Sequence, residues 1–314
     1  MGFYSRPEEN YNDVQFAPAV SWPFGPFLCG VCMKLASYLV GGRAGYGAVV
    51  GSGVVDLTRR LGTKYADLRA LLTAGAMREA QRSVEQAAPD YQLSALHLLP
   101  VIPNPDKIIC VGLNYEDHRV ETGRDKTENP TLFIRFANSQ VGANQPMLRP
   151  RESAHFDYEA EIAVIIGKAG RRITDADAWS HVAGYSCYND GSVRDWQRHT
   201  SQWTAGKNFA ATGAFGPWMV TADDIPADSV MTLTARLNGH EVQRATTEQM
   251  IFKIPALIRY ISGFTELLAG DVIVSGTPGG VGARRSPPLW MAAGDTVEIE
   301  IDKVGILRNT IADD

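Results

Sequence analysis

The stretch DYEAEIAVIIG, residues 157–167, predicts a strand that enters a hydrophobic core. Its first half alternates acidic and apolar residues, and its second half is wholly apolar. Successive side chains of a strand point to opposite faces, so Asp157, Glu159 and Glu161 should share one face. Three carboxylates at the mouth of a core repel one another unless a cation neutralises them. These hard oxygen ligands suit Mg²⁺, Mn²⁺ or Ca²⁺, although a solvated strand face is the alternative explanation.

Residues on both sides of this stretch predict a strand-rich C-terminal domain. Apolar runs of strand length are KIICVGL (107–113), TLFIRF (131–136) and VAGYSCYND (182–190). Further strand-forming segments follow, and the dipeptide Asn238-Gly239 favours a hairpin between two of them. Residues 175–181 and 250–268 have helical spacing. Many strands and few helices predict a β-rich α+β domain over residues 105–314, folded as a barrel or roll.

Residues 33–104 combine short strand-forming runs with a helical stretch, and this pattern predicts a small N-terminal α/β domain. Three β-prone runs separated by glycine turns begin at Met33, and residues 67–88 are helical with a glycine interruption. A proline-rich connector then places the domain boundary near residue 104. Residues 1–32 show neither a helix nor a strand period, so we interpret them as a poorly ordered or loosely docked extension.

Composition and charge narrow the class of protein. The chain has 314 residues and a formal net charge of −5, which argues against a nucleic-acid binder but not against an anionic substrate. No run of eighteen apolar residues or signal peptide is evident, so we expect a cytoplasmic protein without a membrane partner. Cys110 and Cys187 lie in apolar runs that predict buried thiols, while Cys29 and Cys32 form a single CxxC, which is weak evidence for a metal or redox site.

Five ordered motifs resemble the fumarylacetoacetate hydrolase superfamily. They are VGLNYEDH (111–118), DYEAEIAVIIGK (157–168), GYSCYNDGSVRDWQ (184–197), AGKNF (205–209) and GDVIVSGTPGGVG (270–282). The resemblance implies a small N-terminal α/β domain, a C-terminal mixed β-sandwich roll and a homodimer. It also implies that Glu159, Glu161 and Asp190 bind Mg²⁺ or Mn²⁺. From the residues alone, Asp190 is also explained as a turn residue or a helix N-cap.

The same resemblance assigns further residues to the site. It places Lys207 beside the metal and the substrate oxygens, where a cation stabilises developing negative charge; by itself Lys207 would be a surface lysine. Gln197 is the predicted substrate ligand, and Arg194 either shares that role or pairs with Asp195. Thr277 resembles the family's carboxylate-binding turn, although a simple glycine-rich bend explains it as well.

His118 and Glu121 are three residues apart, so a helical turn would place them on one side. A carboxylate bonded to imidazole fixes its tautomer and raises its basicity, which lets the pair activate water. The resemblance implies that this pair is a catalytic dyad on a mobile lid. The polar run ETGRDKTEN (121–129) is a suitable lid because it cannot build a core.

A 2-oxo acid can chelate a divalent ion, which stabilises an enolate as a Lewis acid. The leading hypothesis is therefore hydrolysis of a C–C bond in an acylpyruvate-like 2,4-dioxo carboxylate, in aromatic or sugar-acid catabolism. The alternative is a decarboxylase, isomerase or hydratase that uses the same metal on a 2-oxo dicarboxylic acid. A non-catalytic small-molecule binder is less favoured, since it would be expected to lack one of the metal carboxylates or the dyad.

Overall fold

The structure, a computed structural model, describes residues 33–314. The predicted extension over residues 1–32 and the Cys29-Cys32 motif lie outside the described residues. The strands are β1 (Lys34–Val40), β2 (Arg43–Val50), β3 (Gly53–Asp56), β4 (Tyr91–Gln92), β5 (His97–Leu98), β6 (Ile108–Gly112), β7 (Thr131–Arg135), β8 (Gln140–Val141), β9 (Met147–Arg149), β10 (Phe156–Asp157), β11 (Ala160–Ile166), β12 (Val182–Asn189), β13 (Ser192–Val193), β14 (Gly213–Thr221), β15 (Thr232–Leu237), β16 (His240–Thr246), β17 (Val272–Val274), β18 (Thr296–Ile301) and β19 (Gly305–Asp313). The helices are α1 (Leu57–Leu61), α2 (Leu68–Thr73), α3 (Met77–Val84), α4 (Glu116–Thr122), α5 (Arg194–Gln197), α6 (Thr204–Lys207) and α7 (Ile254–Phe264).

Three sheets contain these strands. The largest follows the order β4-β3-β2-β1-β14-β12-β11-β17-β6-β7, with β5 paired to β1 and β8 paired to β14. A five-stranded sheet has the order β16-β15-β18-β19-β9, and β10 pairs with β13. The predicted N-terminal strands β1 to β3 are continuous with the large sheet, because β1 pairs antiparallel with β14. The domain boundary near residue 104 stays a prediction.

Strand β11 lies at the centre of the molecule, and all seven of its residues are buried. Its alternate side chains enter different cores, as a two-residue period requires. Ile162 and Val164 pack with Leu233 and Ile299 of the five-stranded sheet. Ala163 and Ile165 belong to the core that contains the N-terminal helices. The large sheet is therefore covered by a second sheet on one face and by helices on the other, which is the predicted β-rich α+β sandwich.

Local predictions have mixed outcomes. The Asn238-Gly239 hairpin is confirmed, with Leu237 opposite His240 and positive φ at both turn residues. The helical region 67–88 forms α2 and α3, separated by Gly75 at φ +62°. The predicted helix over 175–181 was wrong in extent, since only the 3₁₀ turn Ala178–His181 forms. Among the described residues, no helix is long and apolar enough to cross a membrane.

Candidate metal centre and active site

Two neighbouring strands position the acidic residues. Glu159 directly precedes β11, Glu161 is the second residue of β11, and Asp190 directly follows β12. The backbone amide of Asp190 donates to the carbonyl of Glu159 at 3.0 Å, so the ladder between β11 and β12 continues past the strand ends. Carboxylate oxygens of Glu159, Glu161 and Asp190 lie within 4.8 Å of one another, and all three residues are buried. We call these three residues the acid triad.

Buried cations contact two members of the acid triad. Lys207 Nζ lies 2.6 Å from Glu159 Oε2 and 2.6 Å from Asp190 Oδ2. Arg194 Nη1 lies 2.8 Å from Glu159 Oε1, and Arg135 pairs with Asp190 in a fully buried ion pair. Burial opposes ionisation of Glu159, but Lys207 and Arg194 outweigh it and lower its pKa to about 2. Burial likewise opposes the charge on Lys207, yet Asp190 and Glu159 raise its pKa.

Glu161 has a different environment from its two neighbours. Its Oε2 accepts a hydrogen bond from the backbone amide of Gly276 at 2.5 Å. Among residues 33–314, no cationic side chain lies within ion-pair distance of Glu161. Burial first, and then the charges of Asp190 and Glu159, raise its pKa well above the ordinary value. The triad thus contains one buried carboxylate without a counterion, and its oxygen donors fit a hard divalent cation such as Mg²⁺ or Mn²⁺.

Gly276 can make this contact because it lacks a side chain. Its φ is +101°, and a Cβ at this position would lie 2.7 Å from Asn114 Cβ. The Asn114 side chain in turn donates to the carbonyls of Ser275 and Phe252. The glycine-rich turn after β17 is therefore held against the acid triad by close backbone packing.

Asp157 does not join the acid triad, contrary to the one-face expectation. The strand is interrupted at Tyr158 and Glu159, between β10 and β11. Asp157 instead accepts from the amides of Gly282 and Ala283 at 2.8 and 3.0 Å and from Arg194 Nε at 2.7 Å. The interruption breaks the two-residue alternation on which the prediction depended. Asp157 consequently fixes the turn at Gly282 and orients Arg194.

His118 and Glu121 are brought together by α4, as their spacing predicts. His118 Nδ1 lies 3.1 Å from Glu121 Oε2, and His118 is buried. Glu121 Oε1 also accepts from the backbone amide of Gly280 at 3.1 Å. Helix α4 ends at Gly123 in the left-handed conformation, with φ +67°. The pair is thereby anchored to the same glycine-rich turn that contacts Glu161.

The predicted substrate ligands lie close to these groups. Arg194 Nη1 donates to Gln197 Oε1 at 3.0 Å, and Arg194 pairs with Asp157 and Glu159 rather than with Asp195. Asp195 instead accepts from the Ser153 hydroxyl at 2.7 Å. The hydroxyl of Thr277 accepts from Gln243 Nε2 at 2.9 Å.

One cavity of about 90 Å³ is lined by most of the predicted site residues, with Glu121 and Asp190 outside its lining. It is lined by His118, Glu159, Glu161, Arg194, Gln197, Lys207 and Thr277. Part of its apolar wall is formed by Phe133 and Trp203, whose rings meet edge to face with centroids 5.4 Å apart. Nη2 of Arg194 is buried and has no hydrogen-bond partner among the described residues. A free donor on this buried guanidinium is consistent with an anionic ligand in the cavity.

Arg135 belongs to the site but was not among the predicted residues. Its guanidinium is fully buried and donates to the Gly191 carbonyl at 3.0 Å and the Thr212 hydroxyl at 2.9 Å, besides pairing with Asp190. A charged residue inside the apolar strand run TLFIRF was the available signal. Buried arginines require a counterion, so its partner could have been sought among the predicted acids.

Comparison with known proteins identifies the class of the molecule. The family model described as fumarylacetoacetate (FAA) hydrolase C-terminal matches residues 107–312. The chain belongs to this family, as the five motifs indicated, and is an enzyme of the fumarylacetoacetate hydrolase superfamily.

Similar curated proteins carry a more specific description. A mitochondrial oxaloacetate tautomerase of Xenopus laevis is 40% identical over 265 residues, covering 83% of each chain. A mitochondrial oxaloacetate tautomerase of Homo sapiens is 37% identical over 298 residues, covering 93% of this chain and 95% of the human protein. The hydrolase class that the sequence analysis placed first is not confirmed by these relatives. The cytoplasmic location and the homodimer stay predictions.

Solved structures agree on the fold. The fumarylacetoacetate hydrolase of Exiguobacterium antarcticum has a TM-score of 0.75 at 31% identity, covering 90% of this chain and 100% of its own. The maleylpyruvate hydrolase of Sphingobium sp. SYK-6, solved with manganese(II) and pyruvate, has a TM-score of 0.74 at 28% identity, covering 90% and 99%. A member of the superfamily thus contains manganese, and the acid triad of this chain could hold the same kind of ion.

Proposed function

We propose that this protein catalyses the metal-dependent enolisation of a small 2-oxo carboxylate, with keto–enol tautomerisation of oxaloacetate as the first activity to test. The observation that carries the proposal is a single cavity lined by triad acids, by Lys207 and by His118. The names of the relatives at 37–40% identity support the choice of reaction.

The metal-binding role is proposed for Glu159, Glu161 and Asp190. A divalent ion held there would withdraw electron density from a 2-oxo group and so acidify the carbon next to it. Lys207 contributes a fixed positive charge beside Glu159 and Asp190, where negative charge on the C2 oxygen would be stabilised. The unpartnered Nη2 of Arg194 is a donor for the substrate carboxylate.

His118 is the proposed base. In the tautomer whose Nδ1–H donates to Glu121 at 3.1 Å, Nε2 is the nitrogen that can accept a proton. A proton leaves C3 of the substrate for Nε2 while the C2 carbonyl oxygen gains the negative charge. Return of that proton to the oxygen yields the enol, and the reverse sequence restores the keto form. Because both groups are fixed by α4 and Gly280, the base needs no rearrangement before it acts.

Hydrolysis of an acylpyruvate-like 2,4-dioxo carboxylate is the second candidate. The likeness to a maleylpyruvate hydrolase solved with pyruvate favours it. In that reaction His118 would deprotonate a water that attacks the C4 carbonyl, the C3–C4 bond would break, and protonation of C3 would give pyruvate and a second acid. Decarboxylation, isomerisation and hydration differ from both in their products.

The test is a product analysis with purified protein. We expect Mn²⁺-loaded protein to accelerate the ultraviolet absorbance decay of enol-oxaloacetate beyond a blank with Mn²⁺ alone. His118→Gln should lower this rate by roughly 10²- to 10⁴-fold while Mn²⁺ binding is retained. The control His240→Gln changes an exposed residue outside the cavity and should leave the rate intact.

Each product pattern decides between the candidates. Two carbon fragments from an acylpyruvate, with oxaloacetate untouched, would establish the hydrolase instead. Release of CO₂ from oxaloacetate faster than its tautomerisation would establish a decarboxylase. A His118→Gln variant as fast as the parent protein would exclude the assigned base.

A further inference from the structure

Three arginines at the mouth of the cavity have no role in the reaction described above. Arg124 follows α4, Arg198 follows α5, and Arg284 ends the 3₁₀ turn Gly282–Arg284. All three line the same cavity as Glu159 and Glu161. The two acids are buried whereas the three arginines are exposed, so the arginines lie at the opening and the acids at the floor. We call these three residues the arginine rim.

The arginine rim is not neutralised by the protein. Within residues 33–314, no rim arginine forms an ion pair with a carboxylate. Some surface arginines elsewhere are paired, as Arg119 is with Glu116 and Arg244 is with Glu241, whereas others, such as Arg78, have no ion-pair partner among the described residues but do not line this cavity. Unpaired like charges gathered around one opening repel one another, so the grouping calls for a ligand that compensates them.

The local charges point to an anionic ligand. Burial, followed by the positive charges of Arg194 and Arg284, lowers the pKa of Arg198, and Asp157 and Asp195 offset this only in part. Of the five cationic side chains that line the cavity, Arg194 and Lys207 are paired with buried acids, so the positive charge left without a partner is that of the arginine rim at the opening. A cleft with this field concentrates dianions over monoanions.

Two rim arginines are held in place by backbone contacts. Arg119 Nη1 donates to the Arg124 carbonyl at 2.7 Å, and the Arg124 amide donates to the Arg119 carbonyl at 3.2 Å. Arg284 Nη2 lies 3.5 Å from the Thr122 carbonyl, which ties the turn at Gly282 to the end of α4. These contacts hold the backbone of Arg124 and the guanidinium of Arg284 beside the end of α4.

We propose that Arg124, Arg198 and Arg284 bind a second carboxylate of the substrate, at the end remote from the acid triad. The enzyme is accordingly selective for 2-oxo dicarboxylates over 2-oxo monocarboxylates of the same size. The inference rests on the proposed function, which assigns the first carboxylate and the 2-oxo group to the inner end of the cavity.

The test compares two substrates that differ in one charge. Oxaloacetate and its 4-methyl ester are assayed for tautomerisation with Mn²⁺-loaded protein. The variant Arg198→Gln/Arg284→Gln should lose at least about tenfold in kcat/KM for oxaloacetate, mainly through KM, because charge-assisted hydrogen bonds are lost. The same variant should change kcat/KM for the ester by less than about twofold. Raised salt should increase KM for oxaloacetate more than for the ester, since exposed charges are screened.

Arg244→Gln is the matched control, because it removes one exposed arginine outside the cavity. It should leave the ratio of the two kcat/KM values unchanged. Equal losses on oxaloacetate and on the ester in the double variant would overturn the arginine rim as a carboxylate site, since a structural defect affects both substrates alike. A parent protein that uses both substrates equally well would overturn it too.

Ligand-binding measurements test the arginine rim independently of the proposed reaction. If the parent protein turns over neither substrate, the proposed function fails, and calorimetry with L-malate and its 4-methyl ester decides the arginine rim by itself. We expect Mn²⁺-loaded protein to bind malate about tenfold more tightly than the ester, and the double variant to bind them equally. Equal affinity of the parent protein for malate and for its 4-methyl ester would refute the arginine rim as a carboxylate site.

Discussion

Replacement of single triad acids should separate stability from metal binding. Asp190→Asn removes the one carboxylate that pairs with buried Arg135, whereas Glu159→Gln removes one of two carboxylates from Lys207 and from Arg194, which keep Asp190 and Asp157, respectively. Glu161→Gln leaves no cation unpaired and removes a carboxyl group whose ionisation is opposed by burial and by Asp190 and Glu159. The amide oxygen of glutamine can still accept from the Gly276 amide. Substitution of each of the three acids should therefore change the unfolding free energy of the metal-free protein by a different amount.

The expected magnitudes follow from the contacts. Removal of one partner of a buried ion pair costs about 3–5 kcal/mol of unfolding free energy. We expect this loss for Asp190→Asn in metal-free protein and a smaller one for Glu159→Gln, because Lys207 and Arg194 then keep Asp190 and Asp157. Glu161→Gln keeps its one hydrogen bond, so its metal-free unfolding free energy should stay within about 1 kcal/mol of the parent protein or exceed it.

Urea unfolding followed by tryptophan fluorescence, with EDTA and with Mn²⁺, measures both effects. Free Mn²⁺ at a hundred times its Kd stabilises a native protein that binds one ion by about 2.7 kcal/mol. The parent protein should show this gain, and Glu161→Gln should not. If Glu161→Gln destabilises metal-free protein as much as Glu159→Gln does, the unequal charge pairing within the triad is wrong. If it retains the full Mn²⁺ gain, Glu161 is not a ligand.

Other substitutions test the surroundings of the triad. Arg135→Met should lower the unfolding free energy by up to about 3–5 kcal/mol, as urea unfolding would measure, because Asp190 loses one of its two buried cations and keeps only Lys207. Unchanged stability would contradict the pairing. Gly276→Ala places a Cβ 2.7 Å from Asn114 at φ +101°, so calorimetry should show reduced Mn²⁺ affinity. In the control Gly263→Ala the new Cβ enters open space beside α7, so Mn²⁺ affinity should be unchanged and the unfolding free energy equal or slightly higher. Gly112→Ala places a Cβ 2.3 Å from the Trp203 ring, and the shifted wall should reduce kcat/KM for oxaloacetate by up to about a hundredfold in steady-state assays; unaltered kinetics would show that the wall is not tightly packed.

Part of the fold follows directly from residue patterns. The run EIAVIIG predicts a strand buried on both faces, and β11 contributes side chains to both cores. Asn238-Gly239 predicts its hairpin because few residues adopt positive φ at two successive positions without strain. The His118–Glu121 contact also follows from spacing, since residues three apart on one helical turn are neighbours. These features depend on interactions between residues that are close in the chain.

Other features depend on chain segments that are distant in sequence. Asp157 left the expected face because β10 pairs with β13 while β11 pairs with β12, and the strand is interrupted where it changes partner.

The sequence alone determined that acidic residues come at the beginning of a buried strand, that Asp190 ends another strand, and that a His-Glu pair lies on one turn. Tertiary structure decided which charges compensate which. Arg135 comes from β7 and Lys207 from α6, yet both contact Asp190 at the end of β12, and the three rim arginines meet from separate elements. The physical reason is that backbone geometry sets local side-chain directions, whereas charge pairing in a cavity depends on how distant segments pack together.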